Sequence, residues 1–92
     1  MTAGEVIAAV RIEPRRARVA LGSWVGDEPA AGTRVRIEIG NASFEGRVVG
    51  RGFVCSPDAC DVELAIDFGQ DDLLEAFLDT WRVVGAGRLE LA

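Results

Sequence analysis

Guanidinium groups and one short polar turn are the chemistry this chain of 92 residues has to offer. Arg11, Arg15, Arg16 and Arg18 crowd the segment around Pro14. Arginine presents five donors in a fixed fork that matches phosphate, and its plane stacks on nucleic bases. The same four residues also fit a solvated turn balanced by Glu5 and Glu13. The second constellation is Asn41-Ala42-Ser43-Phe44-Glu45-Gly46, of the form N-x-S-x-x-G. Asn and Ser between two strands commonly bond their own backbone. They equally suit the edge of a purine, with Gly46 leaving room for close approach.

Other chemistries are poorly served. The sequence has no His, Lys or Tyr, and all ten basic residues are Arg. Imidazole bases, Schiff-base amines and phenolic nucleophiles are therefore missing. Cys55 and Cys60 flank Ser56-Pro57-Asp58-Ala59, and zinc there would need oxygen ligands, so no metal is expected. Asp67, Asp71 and Asp72 cluster where a helix begins, which suits caps and solvated faces better than hydrolysis. No phosphate loop of Walker type, nucleophile elbow or zinc spacing occurs, so neither catalysis nor a cofactor is expected.

Net charge is −5. Arginine is concentrated before residue 53 and acid after it. An acidic chain is a poor ligand for DNA or RNA, although a local arginine group can still hold a small anion. No apolar run reaches the roughly 20 residues a membrane helix needs. Met1-Thr2-Ala3-Gly4-Glu5 has no basic n-region ahead of an apolar one, which predicts a cytoplasmic protein. In a reducing cytoplasm Cys55 and Cys60 are expected as free thiols that matter little for folding, although a bridge across so short a loop is sterically possible.

The elements that would position these groups are mostly strands. Glu5–Ile12 and Ala17–Val25 are apolar and β-branched on either side of a Pro14 turn, with Gly22 a candidate bulge. Gly26–Thr33 reads as a loop. Arg34–Ile39 alternates charged and apolar residues, and so does Asp61–Phe68. Between them Phe44–Val49 reads as a strand, Gly50-Arg51-Gly52 as a tight turn and Phe53–Cys55 as a short strand. The period then changes. Leu74, Phe77, Leu78 and Trp81 share one face of a helix over about residues 71–82, with Asp72 as N-cap and Glu75 completing a capping box. Arg82–Leu91 supplies a last hairpin or strand. A chain this short buries a modest core. One mostly β domain over residues 1–92 follows: a small, partly closed barrel with the helix over an open end.

Arg11-Ile12-Glu13-Pro14-Arg15 and Asn41–Gly46, taken together, resemble the two motifs of the PilZ domain, R-x-x-x-R and [D/N]-x-S-x-x-G. Asn41 follows Arg15 by 26 residues, a fitting interval, and the barrel with a helix near the C-terminus is similar to that family's layout. The resemblance implies a bacterial, non-catalytic signalling module that binds the second messenger cyclic di-GMP and then offers a changed surface to a protein partner. Arg11 and Arg15, with Arg16 or Arg18, would clamp phosphates and stack on guanine. Asn41 and Ser43 would bond a guanine edge over Gly46. A competing alignment makes Gly32 to Phe68 the second half of a PilZ barrel. Asn41–Gly46 is then a chance match, and the domain is a degenerate, adaptor-type barrel that binds only protein partners.

Overall fold

Alternation of apolar and polar residues sets the architecture. A computed structural model describes residues 3–92 as strands β1 (Ala3–Glu13), β2 (Arg16–Val25), β3 (Arg34–Ile39), β4 (Ala42–Cys55), β5 (Cys60–Asp67) and β6 (Gly87–Leu91), with one helix, α1 (Asp71–Val84), before β6. Every strand pairs antiparallel with two neighbours, in the circular order β1-β2-β5-β4-β3-β6. The protein is thus mostly β with a single helix near the C-terminus, and the barrel is fully closed rather than partly open.

Val19 and Leu21 from β2, Val35, Ile37 and Ile39 from β3, and Leu64 and Ile66 from β5 point inward and are buried. Their neighbours in sequence, such as Arg18, Glu38 and Glu63, stand on the outer wall. One end of the barrel is stoppered by α1. Leu74, Phe77 and Leu78 are buried there, as the helical spacing predicts, and Trp81 packs half-buried at the rim. The Phe77 ring stacks on Phe68 at 4.9 Å and meets Phe44 edge-on at 5.6 Å.

Several expectations are corrected. Gly50-Arg51-Gly52 is not a turn, because β4 runs through it to Cys55. Val49 is an extra residue between the pairs Val48–Ile66 and Gly50–Ala65, so a β-bulge bends the strand without ending it. In β2 the irregularity lies beside Gly22, at Ser23, whose φ is +50°. Gln70, not Asp72, precedes the first helical residue, and it makes no side-chain cap bond. The cysteines are not free. Cys55 and Cys60 are cross-strand partners at the end of the β4–β5 hairpin and form a disulfide. The pairing brings the two thiols face to face, which sequence spacing alone left open. No helix among the described residues is long and apolar enough to cross a membrane.

Candidate functional site

The Pro14 turn is tied to the start of the helix. Pro14 and Arg15 link β1 to β2, and Arg15 has φ +69°. Pro at the first central position and a left-handed residue at the second is the pattern of a type II turn, which normally favours Gly or Asn there. Two hydrogen bonds hold Arg15 in this uncommon conformation. Its backbone N–H donates to Asp71 Oδ1 at 2.9 Å, and its carbonyl accepts from the Phe68 N–H at 2.8 Å. Asp71 therefore serves the turn from the first residue of α1 instead of capping its own helix.

The other arginines of this group point two ways. Arg11 pairs in register with buried Ala17 and reaches the helix, where it meets Asp71 at 3.7 Å and bonds to Glu75. Arg16 and Arg18 lie on the outer wall. Arg16 Nε donates to Asp67 Oδ2 at 3.1 Å and also approaches Glu13, while Arg18 meets Glu63 at 3.2 Å. Among the described residues Arg15 alone of the four has a side chain without a salt bridge, and its charge still acts on nearby Asp67. Asp67 is held below the usual carboxylate range, first by the Gly69 N–H bonded to Oδ1 at 2.7 Å and then by Arg16. The same contact raises the Arg16 pKa.

The Asn41–Gly46 segment starts at the far end of α1 and runs back to the Asp67 that Arg16 bonds. Gly40 and Asn41 form the two-residue β3–β4 turn, with φ +59° at Gly40. A left-handed glycine in the first central position matches a type II′ hairpin. A Cβ on Gly40 would touch Val84 Cγ2 at 3.7 Å, so this turn sits against the last residue of α1. Arg11 and Arg15 sit at the helix's other end. The 14 residues between span about 20 Å. Ser43 is exposed, opposite Glu38. Gly46 faces inward, and its missing side chain is replaced by the chain itself. A Cβ there would lie 2.5 Å from Ile66 Cγ2 and 3.0 Å from the Asp67 carbonyl.

The structure thus brings Arg11, Arg15, Arg16 and Arg18 into one region and keeps Asn41 apart from it. Sequence reasoning missed Arg34 and Arg47, which border a groove of about 320 Å3 together with Gly46 and Asp67. The strand alternation placed Arg34 on the wet face but gave no partner for it. A larger hollow of about 720 Å3 lies between the start of β1, the end of β2 and the Gly85-Ala86-Gly87 link. Comparison with family models, curated proteins and solved structures returned no match.

Proposed function

We propose that this domain is a non-catalytic, PilZ-like barrel that binds a protein partner and does not assemble a cyclic di-GMP clamp. The observation that carries this reading is the hollow of about 720 Å3. Its lining includes Ile7 and Val25, 49% and 62% exposed, the small residues Gly85 to Gly87, and Glu5 and Arg88. Such a surface accepts an inserted apolar side chain from another protein. A cytoplasmic location belongs to the reading, and a reducing cytoplasm would open the Cys55–Cys60 bridge.

A cyclic di-GMP receptor is the second reading, favoured by the exposed Arg15 guanidinium. Calorimetry separates the two. Under the adaptor reading, titration with cyclic di-GMP gives no heat, and a photocrosslinker at Val25 yields one discrete protein adduct in the native cells. A saturable heat that is lost in both Arg15→Ala and Ser43→Ala would overturn it and establish the receptor.

A further inference from the structure

Arg34 and Arg47 face each other directly across β3 and β4, both on the outer wall of the barrel. Like charges set directly opposite destabilise an antiparallel pair. The arrangement is unexpected in a chain with 15 acids for 10 arginines. Arg11, Arg16, Arg18, Arg36, Arg51 and Arg82 each form a salt bridge with at least one of those acids. The Arg34 guanidinium makes no hydrogen bond or ion pair among the described residues, and Arg47 reaches only the Gly32 carbonyl, at 3.4 Å. Two carboxylates close by in register do not resolve the repulsion. Asp67, level with Arg47, spends one oxygen on Arg16 and the other on the Gly69 N–H. Glu45, which also lines the groove, stands opposite Arg36, two pairs further along.

We propose that Arg34 and Arg47 bind a phosphate monoester dianion in the groove they border. Two guanidinium forks supply paired N–H donors, and a monoester dianion supplies three terminal oxygens and the two negative charges that neutralise both. A single carboxylate offers two oxygens and fills only one fork. Free phosphate and a phosphorylated side chain carry the same group. The inference rests on neither reading of the preceding section, since Arg34 and Arg47 carry neither of them.

The test uses thermal unfolding and amide NMR of the whole chain at pH 7.5. Inorganic phosphate and N-acetyl-phosphoserine amide are added in separate series, with sodium chloride holding ionic strength constant. The wild-type midpoint rises with phosphate, and amides near residues 34 and 47 shift. Arg34→Gln and Arg47→Gln each weaken binding about tenfold or more, while Arg82→Gln on the helix binds as wild type. Tighter binding of phosphoserine amide assigns the site to a phosphorylated side chain, and the reverse order to free phosphate. In phosphate-free buffer Arg34→Gln melts no lower than wild type, because it relieves the opposed charges. Equal binding by wild type and Arg34→Gln, or an equal rise with chloride alone, would overturn the proposal.

Discussion

Replacing Phe77 by alanine tests whether the helix is a stopper driven into the barrel. Phe77 is fully buried and has two aromatic partners, Phe68 stacked at 4.9 Å and Phe44 edge-on at 5.6 Å. Removing a buried phenyl ring costs about 3–5 kcal/mol, including the cavity left behind. The low end applies where neighbours collapse into the space. Here Phe44 is on β4 and Phe68 directly follows β5, so collapse requires the helix to move inward, and the upper half of the range is expected. A domain of this length is stable by roughly 5–14 kcal/mol. Phe77→Ala therefore removes a large fraction of it. Phe77→Leu keeps most of the volume and loses both ring contacts, for about 1–2 kcal/mol. Urea denaturation followed by Trp fluorescence measures both, since Trp81 lies on the same helix. A loss under about 1 kcal/mol for alanine would refute the reasoning, because a ring that fills the barrel mouth cannot be removed so cheaply. Should the alanine variant fail to fold, the leucine variant carries the same test.

Two further outcomes concern the strand ends nearby. Asp67 is depressed in the folded state, so its contribution is full above the unfolded carboxylate pKa and fades as pH falls through the lower folded value. Wild type should lose stability on acidification below about pH 4, while Asp67→Asn is less stable at neutral pH and shows a flatter profile; urea midpoints across pH check this. Gly46→Ala forces a Cβ to 2.5 Å from Ile66 Cγ2 and should cost about 1–3 kcal/mol by thermal melt. Unchanged stability would return Gly46 to a role in clearing space for a ligand.

Which features were legible follows from the range of the interactions behind them. The alternation in Arg34–Ile39 and the spacing of Leu74, Phe77 and Leu78 record burial, which each residue's own polarity expresses. Bulge and turn share the same vocabulary, so Gly50-Arg51-Gly52 reads as either; only pairing with β5 decides between them. The helix start at residue 71 is legible, but its N-cap is not: Asp72 lies inside α1, and Asp71 bonds a backbone N–H 56 residues away. For the arginines, sequence gives the cluster around Pro14 but not which carboxylate meets which guanidinium. Arg34 and Arg47 are 13 residues apart, and nothing short of the β3–β4 register sets them opposite one another.

Closure of the barrel falls to β6, which lies between β1 and β3. Until residues 87–91 have emerged from the ribosome, the edges of β1 and β3 both lack partners. Nascent chains that already contain the stopper helix are therefore still open sheets with two sticky sides, the kind of species that pairs with its copies. The order of elements along the chain thus makes folding wait for its final strand. Arg36 and Glu90, bonded at 3.0 Å across β3 and β6, fasten that seam once it has formed.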